Sequence, residues 1–251
     1  MPTNFILKKL FLLSALLIFA CSSDDSTSDD DNNNELLNCD GNPIPTIVYG
    51  TQEWTVENAC HITYRDGTPI PEVTDPNDWG SLTSGAWAYF NNDTAKHRIY
   101  NWYAVMGIHD TDPNTPNKEF ATEGWHVPTD TEWTTLENHL IASGFNYDGT
   151  TTGNKIAKAM ASTTGWNNRN ETGAPGNAQS LNNDSGFNAF PEGSRRYGAG
   201  FADEGLVTTF WTSIEDDANY ALSVGLFCNT SNLNWWSRIK HYGYSVRFVK
   251  D

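Results

Sequence analysis

All ten tryptophans of this 251-residue chain lie between Trp54 and Trp236, in a stretch punctuated throughout by glycine, proline and asparagine. Indoles of that size call for an aromatic core, while turn residues at that density cut the chain into short elements. One helix is spelled out in full. Thr129 followed three residues later by Glu132 is a capping box, Trp133, Leu136 and Leu140 recur on one helical face, and Gly144 supplies the stop. A second, short helix is expected over residues 154–161, where Ile156, Ala157 and Met160 share a face. Two strands are expected around Val48-Tyr49 and Trp54–Val56, split by Gly50-Thr51, and four more over 208–213, 220–227, 234–239 and 244–249. The segments 65–80, 110–118 and 166–184 read as loops. The sum is an α+β class, a single domain over 46–251 with short, mainly antiparallel strands, two helices and long loops.

The N-terminus is of another kind. Lys8 and Lys9 precede an apolar run, Leu10–Phe19, that ends at Ala20-Cys21. Crossing a bilayer as a helix takes roughly 20 apolar residues, so this run is a signal peptide over 1–20 and not a span. Ile18-Phe19-Ala20-Cys21 resembles the bacterial lipobox, which makes Cys21 the lipidated first residue of the mature chain and the membrane its partner through acyl chains such as palmitate. Ser22–Asn34 is acidic and contains nothing that enters a core, so residues 21–45 are expected to form a flexible tether. Serine and acidic residues directly after the cysteine resemble the export signal of outer-membrane lipoproteins that face the cell exterior. Loss of residues 1–20 removes two lysines and no acid, taking the formal charge from -16 to -18. A surface of that sign repels phosphate backbones, which excludes nucleic acid as a partner.

With Cys21 committed to lipid, Cys39, Cys60 and Cys228 remain, so one internal bridge at most can form, and spacing selects none of the three pairings. No CxxC and no HxxH or HxxxH pair occurs, so no metal site or cofactor is expected. No nucleophile elbow or phosphate loop is present, and the carboxylates Glu192, Asp203, Glu204 and 215–217 stand out little in so acidic a chain, so no catalytic residue is assigned. Two clusters are candidates for ligand binding. In Trp235-Trp236, strand alternation sends the two indoles to opposite faces, so one at most enters a given core. Arg195-Arg196-Tyr197 offers two guanidiniums that would serve an anionic sugar or pair with the acidic surface.

Several segments in order resemble the Fibrobacter succinogenes major paralogous domain (FISUMP) family: 49–54 (YGTQEW) with Glu57-Asn58, 63–71 (TYRDGTPIP), 85–87 (GAW), 100–105 (YNWYAV), 124–133 (GWHVPTDTEW), 185–187 (SGF), Phe210-Trp211 and 245–247 (SVR). The resemblance implies a lipid-anchored bacterial protein with a C-type-lectin-like fold, the scaffold that also houses the formylglycine-generating enzyme. An oxidase of that type needs two closely placed thiols for copper, and Cys228 has no neighbour in sequence. Family members carry cysteine where this chain has Ala88 and Phe248, and that joint loss implies a different bridge, Cys60–Cys228. The expected function is non-catalytic binding or adhesion at the cell surface, to polysaccharide or another surface protein. The alternatives are a polysaccharide-processing enzyme and a structural scaffold.

Overall fold

The structure is a computed structural model that describes residues 36–198 and 200–251; the signal peptide, Cys21 and the acidic tract lie outside the described residues. Folded structure begins before residue 46. Leu36 and Ile44 are buried in the core, Ile44 N–H donates to the Leu36 carbonyl at 2.9 Å, and Asn38 N–H donates to the Asn42 carbonyl at 2.8 Å. Residues 36–45, expected to belong to the tether over 21–45, are folded, because two apolar residues there find a core that their polar neighbours do not advertise.

The chain first makes a hairpin, β1 (Thr46–Tyr49) and β2 (Gln52–Thr55), turning at Gly50, whose φ of +64° is available to glycine at little cost. Two helices follow where loop and aromatic segments were expected. In α1 (Pro76–Ser81), Asp75 caps the N–H groups of Asn77 and Asp78 and proline occupies the first turn. β3 (Trp87–Tyr89) pairs with β4 (Arg98–Tyr100), and α2 (Trp102–Val105) is capped by Asn101. Both helices are too short to show a helical period. β5 (Trp125–His126) leads into α3 (Asp130–Ala142), where the capping box forms in both directions. At the far end Gly144 (φ +82°) donates to the Ile141 carbonyl and Phe145 to that of Leu140, a Schellman closure. The expected second helix shrinks to one turn, α4 (Ala157–Met160), because the Asn154 amide is held by Leu233 and Glu137 and the Lys155 N–H by Asn146.

After the small ladder β6 (Ser194–Arg195) with β7 (Phe201–Ala202), the C-terminal sheet runs β8 (Val207–Glu215), β9 (Tyr220–Phe227) and β10 (Asn234–Ile239), antiparallel, with β9 central. The last segment is not one strand. Tyr244 pairs with Tyr100, Ser245 with Phe210, and Val246 accepts from Ala59; only β11 (Val249–Lys250) joins the four-stranded sheet β1-β2-β11-β5. The fold is α+β.

Strand alternation divides the core. On β8 and β9, Phe210, Val224 and Leu226 enter one cluster with Trp54, Trp133 and Phe187, while Trp211 and Ala221 enter another with Tyr100, Tyr244 and Phe248. In the first cluster the rings of Trp54 and Trp133 stand 4.7 Å apart edge to face, and Trp133 stacks on Phe210 at 5.5 Å. Among the described residues no helix is long and apolar enough to cross a membrane.

Two predictions rest on this packing. Trp133→Ala should cost about 3–5 kcal/mol of unfolding free energy, read by denaturant titration, because the indole is fully enclosed. The second concerns pH. His61 packs between Phe120 (5.5 Å) and Phe248 (5.2 Å), and burial, assisted by the Arg98 charge, pushes its imidazole down to about 4. A histidine that protonates more readily when unfolded withdraws stability as pH falls from about 6.5 to 4. His126 works in the other direction: burial opposes its charge, but bonds to Asp251 (2.6 Å) and Glu132 (2.7 Å) win and raise its pKa, so its contribution is full below about 6.5 and is lost as pH rises through the raised value. Melting temperature against pH should lose its acid-side slope in His61→Phe and its neutral-side slope in His126→Gln.

Candidate functional site

The three neighbours Arg195, Arg196 and Tyr197 are sent to three environments. Arg195 is fully buried: its guanidinium donates to the carbonyls of Val73, Thr74 (2.8 Å) and Asp75 (3.0 Å) and lies 4.2 Å over the Trp79 ring. Burial lowers its pKa to about 10, which leaves it charged at neutral pH. Arg195 is thus no ligand-binding residue; its charge is consumed by the three carbonyls that lead into α1. Arg196 is exposed and forks onto Asp203 at 2.9 and 2.8 Å. Tyr197, 51% exposed, sets its ring against the edge of His241 at 5.2 Å.

The tryptophan pair divides as alternation requires. Trp235 opposes Val224, packs on the Trp54/Trp133 cluster, and points its indole N–H at Glu137 Oε2 (3.3 Å). Trp236 faces the other way. Its ring meets Phe227 edge to face at 5.2 Å, and the Arg238 guanidinium, two residues on and on the same face, lies 5.1 Å over it. Phe227, Trp236, Arg238 and Tyr242 are each half-buried, so each keeps part of its surface in solvent. Tyr242 stacks on Tyr244 at 5.7 Å, and Tyr244 lies tilted against Trp211 at 4.7 Å. Burial pushes the Tyr244 phenol up, while the charges of Arg238 and Arg196 pull the other way. The face of the C-terminal sheet thus carries the rings of Phe227 and Trp236 with the Arg238 guanidinium. Of these, sequence reasoning singled out Trp236 and passed over Phe227 and Arg238, while Arg196 stands apart on Asp203. The alternation Trp236/Arg238 was the available signal.

Among the concavities of the described residues, two gather the most polar groups from separate segments. A polar groove of about 700 Å³ is lined by Phe145, Tyr147, Lys158, Leu181 and Asp184. Its polar groups serve its own loops: Lys158 Nζ donates to the carbonyls of Asn177 and Ala178 and to Asn182 Oδ1, and the Asn146 amide to those of Thr150, Thr152 and Gly153. A cavity of about 200 Å³ is lined by Glu57, Asn58, His97, Arg98, Glu192 and Arg247. Here Arg247, buried, donates to Asn58 Oδ1 (2.6 Å) and to the carbonyls of Thr55 (2.9 Å) and Asn188 (3.3 Å); Asn58 in turn donates to Glu192, which also accepts from Ser245 (2.8 Å). Among the described residues, no group of three or more histidine, cysteine or carboxylate side chains is placed to hold a metal ion.

The Fibrobacter succinogenes major domain matches residues 47–250, from β1 to β11. The chain belongs to that family. Neither a curated protein nor a solved structure matches it. Seen as a Fibrobacter succinogenes major domain, the chain uses its resembling segments for framework: the YGTQEW hairpin, the HVPTDTEW helix cap, and Arg247 of SVR bound to the segment after β2. The platform residues Trp236 and Arg238 lie outside those segments.

The bridge between Cys60 and Cys228 is not formed. Cys228 belongs to the Trp54/Trp133 cluster, with its sulfur 3.3 Å from Arg169 Nε, whereas Arg98 Nη1 donates to the Cys60 carbonyl and lies 3.9 Å from Cys39 Sγ. The reason is topological: residues 36–44 fold back onto the domain and bring to Cys60 a cysteine that the tether boundary had left outside.

Proposed function

We propose that this protein is a lipid-anchored, outward-facing surface lipoprotein whose domain, C-type-lectin-like in architecture, binds polysaccharide without catalysis. The observation that carries the reading is the half-buried group of Trp236 and Arg238 on the edge strand β10 with Phe227 of the neighbouring β9. Sugar rings present C–H faces that stack on aromatic rings, and their hydroxyls and acid groups take the fork of a guanidinium. Side chains set along one strand with part of their surface in solvent suit an extended chain better than a small molecule. Hydrolysis finds less support, because the two carboxylates that share a cavity, Glu57 and Glu192, are each bound by an asparagine amide (Asn38 and Asn58), and about 200 Å³ is below the usual size of a ligand pocket. Anchoring is supported by the lipobox-like Ile18-Phe19-Ala20-Cys21 followed by an acidic tract.

Two measurements test this reading. In affinity electrophoresis against a panel of soluble acidic and neutral polysaccharides, Trp236→Ala should weaken retention roughly 3- to 10-fold with little change in melting temperature. Trp235→Ala should lower melting temperature and leave retention by the folded fraction intact. If no polysaccharide retains the unmutated protein, the binding reading fails. For the anchor, Cys21→Ser should abolish incorporation of labelled fatty acid and move the protein from the membrane to the soluble fraction.

A further inference from the structure

Cys39 and Cys60 are brought together by two independent pieces of local structure. Cys39 sits in a turn that Asn38 fixes from within, its Oδ1 accepting from the N–H groups of Asp40 and Asn42, both at 3.0 Å. Cys60 follows Ala59, whose N–H donates to the Val246 carbonyl at 2.8 Å. Arg98 spans the two: its Nη1 donates to the Cys60 carbonyl and lies 3.9 Å from Cys39 Sγ, while the guanidinium stacks over Trp87 (5.1 Å) and Tyr89 (5.3 Å). One guanidinium nitrogen thus meets both the Cys39 sulfur and the Cys60 backbone, which sets the two cysteines side by side. Cys39 is exposed and Cys60 buried, so one sulfur is open to an oxidant and the other waits behind it.

We propose that Cys39 and Cys60 close an intramolecular disulfide once the protein is outside the cytoplasm, and that this bridge takes up pull on the N-terminal segment before it reaches the β1–β2 hairpin. The proposal rests on the export reading above. The oxidant is a disulfide donor, either a thiol-oxidising protein or a small-molecule disulfide. The adjacent Cys60 thiol, joined by the Arg98 charge, outweighs burial and lowers the Cys39 pKa to about 7, so a large share of it is thiolate at neutral pH. The Cys39 thiolate attacks one sulfur of the donor, forming a mixed disulfide and expelling one donor thiolate. Cys60 then gives up its proton to solvent and attacks Cys39 Sγ, expelling the second. Two protein thiols are oxidised, and one donor disulfide is reduced to two thiols.

The mechanical consequence follows from what the bridge encloses. Residues 40–59 contain β1, the edge strand of the four-stranded sheet, and β2, its neighbour. A pull on residues N-terminal to Cys39 would otherwise peel β1 from β2 one rung at a time. With the bridge closed it passes through the sulfurs to Cys60, whose neighbour Ala59 is bonded to the C-terminal segment.

The test uses the full chain. Purified reduced protein is incubated with oxidised glutathione, alkylated, and digested with chymotrypsin, which cuts after Tyr49 and Trp54 and so separates the two cysteines; trypsin does not, since no lysine or arginine lies between them. The expected product is a peptide pair joined through Cys39 and Cys60, about 2 Da lighter than the two thiol peptides together, with Cys228 alkylated only after unfolding. Closure should lower the susceptibility of the hairpin to protease and raise the melting temperature by roughly 5–10 °C over the Cys39→Ser/Cys60→Ser variant. A glutathione adduct that persists on Cys39, or a Cys60–Cys228 peptide pair, overturns the proposal. The same digest is run on protein from the membrane fraction. A bridge that forms in vitro but is absent from an acylated, membrane-derived sample also overturns it. If that sample is unacylated at Cys21 as well, the failure lies in the export reading and not in the geometry.

Discussion

A buried guanidinium holds the two ends of this domain together. Arg247, near the C-terminus, is almost wholly withdrawn from water, and burial lowers its pKa to about 10, so it remains a cation at neutral pH with no carboxylate directly against it. A charge in that position is tolerable only if every donor direction finds an acceptor. Thr55, Asn58 and Asn188 supply them, from the end of β2, the segment after it and the loop before β6, while the rings of Phe187 (4.8 Å) and Phe210 (5.6 Å) cover its faces. Asn58 relays the interaction to Glu192, where the compensating negative charge sits beside Ser245 and, at 3.6 Å, His97. Parts of the chain nearly 200 residues apart are thereby fixed in one register, and the two aromatic clusters can close against each other only in that register.

Arg195 repeats part of the device on a smaller scale, with both Nη groups bonded and its buried Nε left without an acceptor. It too is buried, too is spent on backbone carbonyls, and too is stacked on an aromatic ring. Long loops need such fastenings because they have few ladder bonds of their own, and an arginine with five donors can satisfy several carbonyls at once. Lys158 and Lys240 do likewise for their loops, Lys240 binding the Ala218 carbonyl and Glu215 while its ammonium lies 4.7 Å from the Trp102 ring. Several of the few basic residues in an acidic chain are therefore interior fasteners. Arg238 differs in keeping part of its surface in solvent beside an aromatic ring, which makes that face a candidate site.

The C-terminal sheet shows how one geometric rule produces both stability and a candidate site. Odd and even residues of β8 and β9 feed two different clusters, so both faces of the sheet are covered near its middle. At β10, the edge, cover ends on one side only. Trp235 still reaches a cluster and Glu137, whereas Trp236 has Phe227 and Arg238 and then water.

The sequence by itself determined the pieces whose signals are local. The capping box and Schellman stop of α3, the strands 220–227 and 234–239, and the opposite fates of adjacent tryptophans follow from dihedral preference and from periods of 3.6 and 2, which a neighbour cannot hide. Family membership was legible for a related reason, since its segments are framework. Tertiary structure decided what depends on meeting distant residues. It decided that Arg195 is buried while Arg196 is not, because three carbonyls around residue 74 happen to converge there. It cut the 154–161 helix to a single turn and broke the last strand among several partners, because side chains and strands elsewhere competed for the same backbone groups. It also brought Cys60 to Cys39 and not to Cys228, since a thiol pairs with whatever the chain's path lays beside it, and no spacing in sequence encodes that path.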